Sequence, residues 1–381
     1  MLFWLALPSF VLVAAAMIEL VRGNRSIHFL RDIPVALPAH PPRVSLVIAA
    51  RDEERNLNVA LDTMLAQDYP DFEVIVVDDR STDATSAILT RKAAQHERLR
   101  IVRIDALPTG WLGKNHALEH GAQQATCAIL IFADADIMMH PDTVSRAVSH
   151  ALAARRDHIA LAPEVIAPGL LLGMFTGTFM MFFSLYARPW KAPDPRSRRF
   201  IGIGAFNMVR AEVFRAVGGH CRIAMRPDDD IKLGKIIKDA GYSQEMLFGC
   251  GRMRVEWYPS LGALVRGLEK NSLAGVEYNV ATIIMSTFAQ LVCFIWPFIA
   301  LLLTSGPTWT LNAAICVVLL VGYAEAARLI SVPRWYALGL PLTVAIFVWI
   351  LWRATFITLR DDGITWRGTY YPLAALKANR V

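Results

Sequence analysis

Apolar residues in this chain come in runs of two lengths, and acidic residues stand at the ends of the shorter ones. The short runs, rich in Val, Ile and Leu, cover residues 43–50, 72–77, 100–104 and 128–133. Residues 43–50 read as a strand buried on both faces, as parallel sheets require, and the other three as further strands. Helical patterns lie between them. Residues 56–67 repeat Leu57, Leu61 and Leu65 at every fourth position, and Ser81-Thr82-Asp83 caps a helix running to about Gln95. A further helix over residues 231–240 stops at Gly241. Strand and helix alternate throughout, which predicts an α/β fold with a doubly wound, mostly parallel sheet.

The long runs are of another kind. Residues 3–21 are broken only by Glu19 and are followed by Arg22, Arg25 and Arg31. With no basic stretch ahead of it and no small-residue cleavage pattern behind it, this run reads as a retained anchor rather than a removed signal. Residues 281–303, 309–330 and 336–357 are each long enough to cross a hydrocarbon layer, which takes about 20 residues. Residues 165–187 also lack charge, but Pro168, Gly169, Gly173 and Gly177 make them a poor uniform helix. The expectation is a segment that dips into the membrane interface and returns, because a full crossing would put the acidic motifs on opposite faces. The predicted order is an anchor (1–22), a proline-rich linker (23–42) holding the next domain off the membrane, a catalytic domain (43–280), a C-terminal transmembrane region (281–357) and a basic tail (358–381). A cytoplasmic catalytic domain puts Arg328 and Arg334 inside, as the positive-inside tendency expects, but carries the tail outside. Either 336–357 is re-entrant, or 309–330, which contains Glu325 and Arg328, does not fully span.

Composition agrees with this division. Hydrophobic residues make up 55% and mean hydropathy is +0.38, which excludes an ordinary soluble enzyme. The net charge of +6 sits mostly beside the apolar runs, at Arg353, Arg360, Arg367, Lys377 and Arg380 among others. Such a rim suits anionic lipid headgroups and cytoplasmic topology, and no stripe of basic and aromatic residues suggests nucleic acid. The five cysteines form no CxxC pair, which argues against a zinc site or a disulfide framework and fits a reducing cytoplasmic face.

The chemistry-bearing residues follow the strands. Arg51-Asp52-Glu53-Glu54, Asp78-Asp79 with Asp83, and Asp134-Ala135-Asp136 each end one, and carboxyl ends of parallel strands converge on the ligand crevice of an open α/β sheet. So many carboxylates repel one another unless a cation sits among them, and a divalent metal carrying a diphosphate is the natural occupant. Two carboxylates spaced as in Asp134-x-Asp136 can serve a ribose and a metal, though a lone strand-end Asp also caps helices. At Asp78-Asp79 a carboxylate can accept hydrogen bonds from a nucleobase imide and a ribose hydroxyl, whereas Asp83 fits an N-cap. Gly110-Trp111-Leu112-Gly113-Lys114-Asn115 is either a structural turn or a loop whose N–H groups and lysine offset diphosphate charge. Asp228-Asp229-Asp230 opens the helix over 231–240. Capping needs only one of them, and mutual repulsion should raise at least one pKa, which suits a general base.

These motifs in this order resemble the family 2 glycosyltransferases, whose catalytic domain has the GT-A fold. The resemblance covers residues 43–279. Val76-Val77-Asp78-Asp79-Arg80-Ser81-Thr82-Asp83 is similar to the family's VDDxSxD stretch and Asp134-Ala135-Asp136 to its DxD. Asp229-Asp230-Ile231-Lys232-Leu233-Gly234 is similar to its ED-x-x-L-G element, with Asp229 where Glu is usual. Pro108-Thr109-Gly110-Trp111-Leu112-Gly113-Lys114 further resembles the membrane-bound subgroup that includes hopene-associated and carotenoid glycosyltransferases. The resemblance implies a nucleotide-sugar donor, a UDP-sugar by expectation, a membrane lipid acceptor, Mg2+ or Mn2+, and inverting transfer of a single sugar. It places Asp230 as the catalytic base with Asp229 beside it, and Asp136 on the metal. Donor contacts fall to Ala49, Arg51, Glu53, Asp78, Asp79, Lys114 and Asp134. Processive members carry QxxRW after the base, whereas this chain has Arg266-Gly267-Leu268-Glu269-Lys270-Asn271, which speaks against a polymer synthase. The expected location is a bacterial-type inner membrane with the catalytic domain cytoplasmic. The competing readings are a nucleotidyltransferase, which would release pyrophosphate, and a membrane-anchored sugar-nucleotide binder without turnover.

Overall fold

In a computed structural model, which describes residues 2–381, the short apolar runs become β1 (Val44–Ala50), β2 (Phe72–Asp79), β3 (Leu99–Ile104) and β4 (Ile129–Asp134). The strands β5 (Met138–Met139), β6 (His158–Ala162), β7 (Glu164–Ile166), β8 (Asn207–Arg210), β9 (Gln244–Phe248) and β10 (Met253–Glu256) follow. Seven of them form one sheet in the order β3-β2-β1-β4-β8-β6-β9, and β5-β10-β7 form a small second one. All neighbours in the large sheet are parallel except β8, which runs against both β4 and β6. The register brings Ala49 of β1 level with Val77 of β2 and Asp134 of β4. The carboxyl ends of these three strands therefore open onto the same edge.

Helices α2 (Leu57–Leu65), α3 (Thr85–Ala93), α4 (Gly113–Gln124), α5 (Thr143–Ala153), α7 (Ala211–Ala216) and α8 (Asp229–Asp239) belong with this sheet. Val47, Val77 and Phe132 form one buried cluster with Leu118 of α4, Phe214 of α7 and Leu233 of α8. Gly121 lets α4 lie close on the sheet: a Cβ there would stand 2.5 Å from Val47 Cγ1.

The chain folds as two units. One comprises the residues up to Ser26 with Val165–Arg188 and Trp257–Ile364; the other holds Ile27–Glu164, Pro189–Glu256 and Thr365–Val381. These limits differ from the linear order expected from the sequence. The segment 165–187 belongs with the apolar helices, and the sheet unit breaks off at Glu256, resuming at Thr365. The connector is no free spacer either. Its His28 carbonyl accepts from the Phe248 N–H (2.9 Å), Ala36 N–H donates to Ser149 Oγ (2.9 Å), and the Pro42 carbonyl accepts from the Tyr69 hydroxyl (2.6 Å). A proline-rich segment cannot complete its hydrogen bonding by itself, so backbone and side-chain groups of the sheet unit do so.

The apolar unit contains α1 (Leu2–Arg25), α6 (Leu170–Ala187), α9 (Leu261–Ser272), α10 (Val280–Gln290), α11 (Trp296–Leu303), α12 (Gly306–Arg328) and α13 (Leu340–Arg360). Among the described residues, five helical stretches are long and apolar enough to cross a membrane: Leu2–Arg25, Leu170–Lys191, Val280–Leu303, Gly306–Arg328 and Arg334–Arg360. The second of these differs from the expected dip and return. α6 is one unbroken helix, and its glycines are contact points rather than breaks. A Cβ at Gly177 would stand 2.2 Å from the Tyr323 hydroxyl, and one at Gly173 2.6 Å from the Tyr336 ring. The Tyr323 hydroxyl donates instead to the Met174 carbonyl at 2.8 Å. Glu325 and Arg328 sit in the last turns of α12. There Glu325 accepts from Arg25 at the end of α1 (2.9 Å) and from Arg328 (2.9 Å), so the charges that argued against a span are paired at its end.

After α13 the expected basic tail is folded. β11 (Gly363–Trp366) and β12 (Thr369–Pro372) form a hairpin, and α14 (Leu373–Ala378) buries Leu373 and Leu376.

Candidate active site

Four chain segments meet at the carboxyl ends of β1, β2 and β4. From β4 comes Asp134, whose N–H donates to the Gly204 carbonyl (3.1 Å). From the first turn of α4 comes Lys114, whose Nζ lies 2.8 Å from Asp134 Oδ1 and 3.5 Å from Asp229 Oδ2. From the start of α8 comes Asp230, which accepts from the N–H groups of Gly204 and Ile231, both at 2.8 Å. The position a Cβ would take at Gly204 is 2.9 Å from Asp134 Oδ2 and 3.5 Å from both Asp230 Oδ2 and Lys114 Nζ. Only a residue without a side chain lets these three groups converge.

The loop that carries Gly204 is held from behind. Buried Gln244 accepts from Ile201 N–H (2.6 Å) and donates to the Gly234 carbonyl (2.8 Å). Buried Asn207 accepts from Ile203 N–H (3.3 Å) and donates to the Asp230 carbonyl (3.2 Å). The loop lies so close to α8 that a Cβ at Gly202 would fall 1.8 Å from the Asp230 carbonyl oxygen, and one at Gly234 1.8 Å from that of Ile201.

The three adjacent aspartates face different partners. Asp228 takes both oxygens to buried Arg226 (2.8 and 2.9 Å), with Lys232 at 3.8 Å. Asp229 stands opposite Lys114. The Asp230 carboxyl is held above the ordinary range, chiefly by burial and against the pull of Lys114. A raised pKa in this triplet is thus observed, but its leading cause is desolvation rather than repulsion within the triplet. Burial works against the Lys114 charge, yet Asp134, Asp229 and Asp230 together raise its pKa, so it stays an ammonium.

Asp136 follows Asp134 by two residues. Burial, with Asp134 and Glu53 as like-charged neighbours, pushes its carboxyl up to about 7. Burial also raises Glu53, against the opposing pull of Arg367. This negative excess fits a divalent cation. Among the described residues no three His, Cys, Asp or Glu side chains form a ready-made metal cage. Asp136 and Asp134 are the residues that could hold such a cation, the sparse protein contribution that Mg2+ or Mn2+ takes when phosphate oxygens supply other ligands.

The β1 and β2 ends make a second cluster. Asp79 receives a bidentate pair from Arg80 (2.7 and 2.9 Å), with Arg51 Nη1 at 4.0 Å. Both strand-end loops carry a non-glycine residue in the left-handed region, Asp52 at φ 53° and Arg80 at φ 57°. Such strain persists only where its surroundings enforce it. Here the two loops are laced together: Thr82 N–H donates to Asp52 (2.7 Å), Glu53 N–H to Thr85 Oγ1 (2.8 Å) and Glu54 N–H to Asp83 (3.1 Å).

Of the residues expected at the site, the structure brings together Asp134, Asp229, Asp230 and Lys114, and it sets Asp136 beside Glu53. Arg51 and Asp79 adjoin them, and Ala49 lies in the register position opposite Asp134. Asp78 departs from expectation. Strand alternation turns it the other way, where it accepts from Ser81 N–H (3.3 Å) and from the Ser86 hydroxyl and anchors α3. Asp83 stands one residue before the N-cap of α3, where its carboxylate accepts from Thr85 N–H at 2.9 Å. The Gly110–Asn115 loop serves both readings. Lys114 enters the cleft, while buried Asn115 donates to the carbonyls of Ile223 (2.7 Å) and Arg226 (2.9 Å). His220, buried against Phe132 and Phe214 with its pKa pushed down to about 3 by burial, is a neutral packing residue. Sequence reasoning placed the loop 201–207 in the pocket wall but missed Arg80 and Arg226 as site-builders. Arg80 and Arg226 lie within two residues of the aspartates they serve, a signal that was available.

Comparisons with known proteins bear on family and fold. The family model described as Glycosyl transferase family 2 matches residues 45–218. Over 111 residues the chain is 36% identical to a beta-monoglucosyldiacylglycerol synthase of Synechocystis sp., which covers 29% of this chain and 23% of that protein. Over 179 residues it is 25% identical to a 4,4'-diaponeurosporenoate glycosyltransferase of Staphylococcus aureus, 46% of each chain. The chain thus spans less than half the length of these curated relatives. A mannosyltransferase from Pyrobaculum calidifontis, solved with GDP-Man and Mn2+, superposes with a TM-score of 0.57 at 19% identity, covering 92% of this chain and 99% of that one. That likeness is one of fold, and the expected GT-A sheet with accompanying apolar helices is the fold observed.

Proposed function

We infer, from a chain whose residues 45–218 match the Glycosyl transferase family 2 model, that this protein transfers one sugar from a nucleotide-sugar donor, by expectation a UDP-sugar, to a hydroxyl of a membrane lipid. The observation that carries the reading is the convergence on Gly204: an ammonium, a ribose- or diphosphate-facing carboxylate and a half-buried carboxylate base around one open point. The lipid acceptor is supported by the relatives, whose names specify a glucosyldiacylglycerol and a carotenoid acid, and by the apolar helices.

In this reading the nucleoside lies along Asp79, Arg51 and the β1 loop. Lys114 meets the negative charge that grows on the departing diphosphate, and it needs no reorganisation because Asp134 and Asp229 already hold it. Asp134 and Asp136 would hold Mg2+ or Mn2+, which when bound supplies further charge neutralisation at the diphosphate. Asp230, its carboxylate fixed by two backbone N–H groups, accepts the proton of the acceptor hydroxyl. The oxygen attacks the anomeric carbon opposite the breaking bond to the diphosphate, and a single base on that face gives inversion. The arginines at the ends of α1 and α12 suit a cytoplasmic face of a cell membrane.

The test is incubation of membranes containing the protein with a panel of labelled UDP- and GDP-sugars, then lipid extraction and mass spectrometry. A glycolipid with release of nucleoside diphosphate is expected. Pyrophosphate release from a nucleoside triphosphate, or nucleotide binding with no glycolipid from any donor, would overturn it.

A further inference from the structure

The C-terminal hairpin reaches the donor cleft at two points. Its turn is Arg367-Gly368, with φ of 48° and 75°, the signature of a two-residue type I′ turn. Such turns favour Asn or Gly at the first position, and an arginine there costs about 1 kcal/mol or more of backbone strain. The side chain offsets that cost. Arg367 Nη1 donates to the carbonyls of Arg51 (2.6 Å) and Asp52 (3.3 Å), while Nη2 donates to the Glu53 carboxylate. These are consecutive residues of the strained β1 loop, whose Arg51 faces Asp79 and whose Glu53 faces Asp136. Four residues on, the buried Tyr371 hydroxyl accepts from Gly113 N–H at 3.3 Å. Gly113 precedes Lys114 and abuts Asp79, to which a Cβ would come within 2.5 Å. Asn379 anchors the end of the segment, accepting from Met225 N–H (2.8 Å) and donating to the Arg222 carbonyl (3.0 Å).

We propose that residues 365–381 are a strap of the nucleotide site. Arg367 is a positioning residue that holds Arg51 and Glu53 in their nucleotide-facing conformation, and Tyr371 fixes the α4 loop beside it. One hairpin thus sets the spacing of the two loops between which a donor nucleotide lies. The inference rests on reading this cleft as a nucleotide site.

The test uses the full chain in detergent, with titration of UDP and GDP in the presence of Mn2+, and donor and acceptor KM where transfer occurs. Arg367→Ala is expected to weaken nucleotide binding and raise donor KM about tenfold or more, the worth of one hydrogen bond to a charged group. kcat and acceptor KM should stay at wild-type values. Arg367→Lys should recover only part of the loss, because one ammonium cannot span two carbonyls and a carboxylate as the planar fork does. Tyr371→Phe should shift donor KM in the same direction, and Arg360→Ala, which removes an exposed pair with Asp361, should leave it unchanged. Wild-type nucleotide affinity in Arg367→Ala overturns the strap, as does a loss shared equally by acceptor KM. Nucleotide binding without sugar transfer in the wild-type chain refutes the proposed function alone, because the binding arm still decides the strap. No nucleotide binding at all refutes both.

Discussion

The Gly204 N–H donates to the Asp230 carboxylate across 2.8 Å, and this bond joins the loop before β8 to the first turn of α8. With the Ile231 N–H on the other oxygen, it orients a carboxylate whose burial makes it more basic than an exposed aspartate. An oriented, partly desolvated carboxylate is what removing a hydroxyl proton near neutral pH requires.

Asp230→Asn keeps the shape and one N–H partner, since the amide NH2 cannot accept the other, and removes the base. The expected result is a fall in kcat of about 100- to 10,000-fold with donor affinity retained. Near wild-type transfer by the purified variant would sink the base assignment. In the wild type, the raised pKa places loss of the base on the acid side: as pH falls through it, Asp230 is protonated and activity declines. That limb of the kcat/KM profile should lie above the ordinary aspartate value of 3.8.

Gly204 and Gly234 separate function from folding. Gly204→Ala puts a methyl 2.9 Å from Asp134 Oδ2, a side chain able to rotate, so the protein should fold and lose at least about tenfold in kcat, as small displacements at reacting groups do. Gly234→Ala puts it 1.8 Å from the Ile201 carbonyl oxygen, which is backbone, so soluble folded protein should fall sharply. Paired expression yield and kinetics distinguish the two.

Arg226 and Asp228 form a buried bidentate pair, Arg226 being only 1% exposed. Arg226→Ala leaves a carboxylate buried with its main partner gone, which should cost about 3–5 kcal/mol of stability. The double variant Arg226→Met with Asp228→Leu should be more stable than Arg226→Ala, because no unpaired charge remains. Urea or thermal unfolding of the three proteins reads this directly.

Asp136 predicts a stability profile with a definite sign. Its folded-state pKa of about 7 lies above the unfolded value of 3.8, so the folded protein binds this proton more tightly. The associated stability is fully present below about pH 4 and is lost as pH rises through about 7. In EDTA the unfolding midpoint should therefore drop across that window. Asp136→Asn should weaken this dependence, leaving the contributions of Asp230 and Glu53, which have the same sign. At pH 8, Mn2+ should stabilise the wild type and not the variant. A wild-type profile that rises over the window would contradict the assignment.

What the sequence by itself determined here is local. Uninterrupted Val and Ile runs specify buried parallel strands, and period-four leucines specify α2. The acidic residue closing a strand lies in the crevice because strands of equal register end together, so Asp79, Asp134 and Asp136 were legible as a group. Strand alternation already implies that Asp78 and Asp79 point opposite ways, a distinction visible in the sequence but not drawn from it. Only the tertiary structure decided which cation answers each carboxylate. Arg367 and Glu53 are 314 residues apart, and nothing in a basic C-terminal stretch says that it returns to the first strand. The same holds for α6, where glycine reads as a helix breaker until Tyr323 and Tyr336 occupy the space it leaves. Periodicity and propensity act over a few residues, so they are written in order along the chain. Charge pairing and close packing act through space between segments whose meeting depends on the whole fold.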